Sequence, residues 1–152
     1  MKPRSAPIVI WLLVGAVLLS GCVGPARTTG RYVGKATRTA NDAISALQTA
    51  ALSVHTSERG RMLGPYLNVV LTQAESDFNS VQQTFDSIQP PDTREADAIR
   101  DRLDKILTDG SDVLGQLRIL ARRGDQVKMV AEARSIPELV DKLDRFVAEV
   151  SR

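Results

Sequence analysis

"DTREADAIRDRLDKILTDGSDVLGQLRILARRG", Asp92 to Gly124, is the stretch whose reading decides the fold. Asp92-Thr93-Arg94-Glu95 supplies an N-cap acceptor and a residue that can reach back to it. Apolar or small residues then recur at Ala96, Ile99, Leu103, Ile106, Gly110, Val113, Leu117 and Leu120. Their spacing alternates between three and four, which is a heptad-like seam of roughly 38 Å of helix. Gly110 in that seam costs about 1 kcal/mol of helix propensity relative to Ala, which points to a close helix crossing or a local bend. Arg122-Arg123-Gly124 ends the segment with positive charge at the negative dipole end and a glycine for a left-handed cap. The polar side of the same stretch interleaves Arg94, Arg100, Arg102 and Lys105 with Asp97, Asp101 and Asp104, the pattern of a solvated face.

The flanking segments repeat the theme. Upstream, Thr39-Ala40-Asn41-Asp42 reads as a capping box with Asp in place of Glu. It is followed by Ala40, Ile44, Leu47, Ala51 and Val54 on one helical face, ending near Arg59-Gly60. A second helix opens at Gly64-Pro65 and places Leu67, Val70, Ala74, Phe78, Val81, Phe85 and Ile88 on its stripe. Pro90-Pro91 stop it at Gln89. Downstream, Asp125 caps a segment through Val127, Val130 and Ala133. Pro137 interrupts it, with Ser135-Ile136-Pro137-Glu138 as a fresh capping box. Ile136, Leu139, Leu143, Phe146 and Val150 complete the last stripe. No strand pattern of any length occurs. Segments that cannot each hide their own apolar face, joined by short breaks, predict an all-α domain. The expected architecture is an antiparallel up-and-down bundle of about four helices, the fourth broken near Pro137.

The 152 residues suit one domain, with 43% hydrophobic and 25% charged residues, a balance that allows a buried core. With only 4% aromatic residues, that core rests on Leu, Val, Ile and Ala.

The other decisive stretch is N-terminal. Met1 to Pro7 carries Lys2 and Arg4, and Ile8 to Leu19 is an apolar run that closes on Leu19-Ser20-Gly21-Cys22. A charged start and a short apolar run make a secretory signal. Twelve helical residues rise only about 18 Å, well short of the roughly 30 Å hydrocarbon core. Counted from Ala6 to Val23, the run reaches the lower edge of a spanning helix, so an uncleaved signal anchor is the alternative.

Leu19-Ser20-Gly21-Cys22 resembles the lipobox of bacterial lipoproteins. The resemblance implies that Leu19, Ser20 and Gly21 are read by a lipoprotein signal peptidase, which cuts before Cys22. It also implies that the Cys22 thiol carries a diacylglyceryl group and becomes the first residue of the mature chain. As the only cysteine, Cys22 can form no intrachain disulfide. A thiol is the strongest nucleophile available to attack a lipid donor. Each buried methylene contributes about 0.8 kcal/mol, so two or more acyl chains anchor without a polybasic helper. Gln89-Pro90-Pro91-Asp92, ahead of the Arg/Asp-rich helix, also resembles all-helical lipoproteins of high-GC bacteria over roughly Ser87 to Arg123. That likeness implies an envelope setting and a helical fold, and it carries no active residues.

Domain organisation follows: residues 1–21 a lipoprotein signal peptide, 22–38 a lipidated N-terminus with a flexible basic tether, and 39–152 the bundle. The tether contains Arg27, Arg31, Lys35 and Arg38, and the first acidic residue is Asp42. Those charges either meet anionic headgroups or simply solvate a linker. Removing Lys2 and Arg4 with the signal leaves 18 basic residues against 18 acidic. A balanced domain has no surplus to hold phosphates, so nucleic acid is not an expected partner.

The remaining residues offer only fragments of catalytic or metal-binding patterns. His55 and Glu58 share a helix face as the beginning of a metal site, against the plainer reading of an exposed helix-end histidine. Asp109-Gly110-Ser111-Asp112 lacks the ligand series of a calcium loop. Glu75, Asp77 and Asp86 could meet carboxylates of a neighbouring helix, but no spacing singles them out. No phosphate loop or nucleophile elbow occurs. The expectation is therefore no catalytic residue, cofactor or metal. The chain reads as a lipid-anchored, non-enzymatic envelope protein on the extracytoplasmic side of a cell membrane or outer membrane, acting on a protein partner or structurally. The alternative is an envelope carrier of a small apolar ligand or metal, with Phe78, Phe85, Leu103 and Leu107 lining a cavity between the second and third helices. A third reading leaves the Ala96–Leu120 seam exposed for a partner.

Overall fold

The computed structural model describes residues 28–152. The expected signal peptide, the residues Leu19, Ser20, Gly21 and Cys22 that resemble a lipobox, and the first part of the expected tether lie outside the described residues. Within them the chain forms α1 (Thr29–Glu58), α2 (Gly64–Asp86), α3 (Arg94–Arg123), α4 (Gln126–Ala133) and α5 (Ile136–Val150), with no strand. α1 packs on α2, α3 and α5, and α3 packs on α2 and α5. The beginnings of α1 and α3 lie together, with the hydroxyls of Thr29 and Thr93 at 3.5 Å. Arg100 near the start of α3 reaches the carbonyls that end α2. Near the end of α5, Glu149 meets Arg102 of α3. The all-α up-and-down bundle expected from the sequence is the fold, and α4 caps its upper end as a short turn of helix between α3 and α5.

The punctuation acts where chain chemistry requires it. Thr28 caps α1 and Thr93 caps α3, accepting at 3.4 and 3.2 Å from the backbone N–H groups of Arg31 and Ala96. Asp125 caps α4, accepting from Lys128 at 3.2 Å. α1 and α3 both end in a glycine with positive φ, Gly60 at 67° and Gly124 at 68°. After each, the chain folds back: Arg61 N–H donates to the Thr56 carbonyl and Asp125 N–H to the Leu120 carbonyl. These are Schellman endings, which a residue bearing a Cβ would strain.

Three expectations need correction. The helix meant to open at Thr39-Ala40-Asn41-Asp42 begins at Thr29, so residues 29–38 belong to the bundle rather than to a flexible tether. Tyr32 and Ala36 are fully buried, and they extend the α1 stripe through Ala40, Ala43, Leu47, Ala50 and Val54. Small side chains at most of these positions gave the stripe too little contrast to trace across Gly30 and Gly34. In α3 the fully buried residues at mid-helix are Leu107 and Leu114, while Ile106 and Val113 are only partly covered. A helix of 3.6 residues per turn drifts from a strict heptad by about 20° every seven residues, which carries the buried face to the next residue. Ser135 does not cap α5: its hydroxyl turns back to donate to the Glu132 carbonyl at 2.7 Å.

Candidate functional site

Two places stand out on the bundle: its lower end, where the chain enters, and a groove along its α1–α2 side.

At the lower end, Tyr32 of α1 lies against Phe85 of α2, with ring centroids 5.6 Å apart. Arg100 of α3 crosses beneath the end of α2 and donates to the carbonyls of Ile88 and Asp86, at 3.0 and 2.9 Å. These acceptors have no partner within their own helix, so a fixed cation there satisfies the helix end and complements its dipole. Arg100 also faces Asp104 at 3.5 Å. The buried Tyr32 hydroxyl has no well-aligned hydrogen-bond partner and lies in the field of this pair. Burial pushes the Tyr32 phenol up to about 12, with Arg100 opposing the shift. Burial likewise raises Asp104, again against the pull of Arg100. This cluster joins three helices through charge and ring contacts. Its contacts between helices join residues far apart in sequence, and spacing gave no signal for them.

The groove runs between the outer sides of α1 and α2 as two hollows of about 460 and 320 Å³ that share Asp42 and Val81. Tyr66, Val69 and Val70 form its apolar upper part, Asp42 and Asp77 its middle, and Lys35 and Arg38 its lower part. Tyr66 and Val69 are 61% and 64% exposed, high for large apolar side chains.

The residues singled out from the sequence separate. His55 is exposed near the end of α1, between Glu58, at 3.7 Å from Nδ1, and Arg59, which contacts Nε2. Glu75 faces α3 and pairs with Arg118. Asp77 lies in the groove and accepts from Gln73 at 2.7 Å. Asp86 is exposed where α2 ends. Asp109-Gly110-Ser111-Asp112 is continuous helix, with Ser111 donating to Asn79 at 2.9 Å. Gly110 marks the close crossing: a Cβ there would lie 2.5 Å from Phe78 Cζ. The α3 seam faces the core rather than a partner. Phe78, Phe85, Leu103 and Leu107 are fully buried and line neither groove hollow. Among the described residues no group of three His, Cys, Asp or Glu could hold a metal, and no helix is long and apolar enough to cross a membrane.

Compared with known proteins, the sequence matches no protein-family model, and neither a curated protein nor a solved structure matches it.

Proposed function

We propose that this chain is a lipid-anchored cell-envelope protein that works by protein–protein interaction or as a structural component, without catalytic chemistry. The observation that carries this reading is Leu19-Ser20-Gly21-Cys22 at the close of a short apolar run that follows Lys2 and Arg4. Lipid on Cys22 would hold the membrane; signal peptidase would recognise Leu19, Ser20 and Gly21.

The start of α1 supports an arrangement in which the bundle stands close to its anchor. Thr28, the cap of α1, follows Cys22 by six chain steps, a reach of at most about 20 Å. The lower end, with Tyr32 and Arg100, then faces the membrane, and the helices project away from it on the extracytoplasmic side. The charged side chains that the fold brings together support a binding or structural role. Arg100 closes the end of α2, and Arg118 pairs with Glu75 across α2 and α3.

Cell fractionation of a Cys22→Ala variant tests the reading. The unaltered chain is expected in the membrane fraction and the variant in the soluble extracytoplasmic fraction or uncleaved. A variant that is cleaved and still firmly membrane-bound would contradict lipid anchoring.

A further inference from the structure

The α1–α2 groove is shaped and charged to receive a helix. Along α1, Lys35, Arg38, Asp42, Ser45, Thr49 and Leu52 recur at alternating spacings of three and four. Along α2, Tyr66, Val70, Gln73, Asp77, Ser80 and Thr84 do the same. Each helix therefore carries a second heptad row beside the one it spends on the core. The two rows line the same groove, and Leu52, 66% exposed, extends the α1 row at its upper end. From Lys35 to Leu52 the rows rise about 26 Å, the length of an 18-residue helix. Paired rows of this period accept a third helix by interdigitation.

The polar lining is ready to be covered. Ser45 and Thr49 donate to the carbonyls of Asn41 and Ser45, at 3.0 and 2.8 Å, and Thr84 to that of Ser80 at 2.8 Å. Hydroxyls satisfied by their own helix do not need water, so covering them costs little. The carboxylates differ. Among the described residues neither Asp42 nor Asp77 belongs to an ion pair. An occupant that covers both is favoured when it brings a cation to the level of Asp42 and Asp77, above the basic lower part of the groove at Arg38. A second copy of the chain does not. Copies anchored at Cys22 in one membrane face run parallel, and an isologous pairing of this groove would gather both Asp42 and both Asp77 side chains at one height.

We infer that the α1–α2 groove is the docking site for a single amphipathic helix of a partner protein, with an apolar half facing Leu52, Tyr66 and Val69 and an Arg or Lys between Asp42 and Asp77. This rests on the interaction reading above and names its surface.

The test uses the full chain in phosphatidylcholine nanodiscs and two synthetic 18-residue helices that share an apolar heptad row. One carries Arg at mid-row and the other Glu, and binding is read by fluorescence anisotropy against empty discs. The Arg peptide is expected to bind at least tenfold more tightly than the Glu peptide. An Asp42→Asn/Asp77→Asn double variant should remove that preference, and Val69→Ser should weaken both peptides while circular dichroism stays unchanged. No binding, equal binding of the two peptides, or an Arg preference that survives the double variant would overturn the inference. So would a concentration-dependent dimer that Val69→Ser abolishes, which would assign the groove to a second copy. The mass of the N-terminal peptide from the same preparation reports lipidation separately, so failure of the anchor and failure of the groove are distinguishable.

Discussion

α2 carries two rows of side chains with the same period and opposite fates. On the inner row, Leu67, Leu71, Ala74, Phe78 and Phe85 are buried against α1 and α3. On the outer row, Tyr66, Gln73, Asp77, Ser80 and Thr84 are exposed along the groove. Spacing makes both rows; chemistry decides which one the fold closes over. The inner row is apolar throughout and ends in aromatic rings. The outer one mixes Tyr66 and Val70 with an amide, two hydroxyls and the Asp77 carboxylate, and only a partner that matches that charge could bury it. Period alone locates a surface, and the side chains on it set what can cover it.

That comparison is most easily broken at Phe78. Phe78→Ala empties the inner row where α2 meets α3, and it should lower unfolding free energy by about 3–5 kcal/mol in urea titration. A loss under about 1 kcal/mol would mean the inner row is not the core. A smaller effect sharpens the same contact. Gly110→Ala sets a Cβ against the buried Phe78 ring at 2.5 Å, whereas Gly115→Ala meets Glu75 Oε1 at an ordinary 3.5 Å. Helix propensity favours both changes by about 1 kcal/mol, and overpacking costs the first about 1–3 kcal/mol. Gly115→Ala should therefore stabilise the chain, and Gly110→Ala should be the less stable of the two; equal midpoints would contradict the close crossing.

Smaller again is the effect of one phenol. The Tyr32 phenol holds its proton to about 12 in the folded chain, against 10.0 for an ordinary tyrosine. Between those pH values the folded state keeps a proton that the unfolded state has released, so stability falls as pH rises. Tyr32→Phe should flatten that slope in denaturation midpoints measured from pH 9 upward; an unchanged slope would assign it to other groups. Least of all should the outer row matter to folding. Val69→Ser is expected to shift stability by no more than about 0.5 kcal/mol, and a loss above about 2 kcal/mol would mean that α1 and α2 already bury that row.

Much of this was legible in the sequence, for identifiable reasons. Strong contrasts survive reading: the Asp92-Thr93-Arg94-Glu95 start before the α3 seam, where Thr93 proves to be the cap, Pro90-Pro91 after α2, and Gly124 after Arg122-Arg123 each sit where the backbone needs them. The crossing at Gly110 was legible because a missing side chain inside an apolar seam has few other uses. Weak contrasts did not survive. The start of α1 was hidden because Ala36, Ala40 and Ala43 are small and Gly30 and Gly34 read as linker, although Tyr32 anchors the first turns in the core. The contact of Arg100 with the end of α2 joins residues more than ten positions apart and leaves no periodic trace. The groove was missed because each outer row is unremarkable alone and becomes a feature only when α1 and α2 lie side by side.

The lipid anchor is the central claim, and mass spectrometry of the mature chain from its native membrane tests it most directly. The account predicts an N-terminal peptide beginning at Cys22, with the thiol carrying a diacylglyceryl group. A chain that begins at Met1 with a free Cys22 thiol, or one cut elsewhere without lipid, would contradict it.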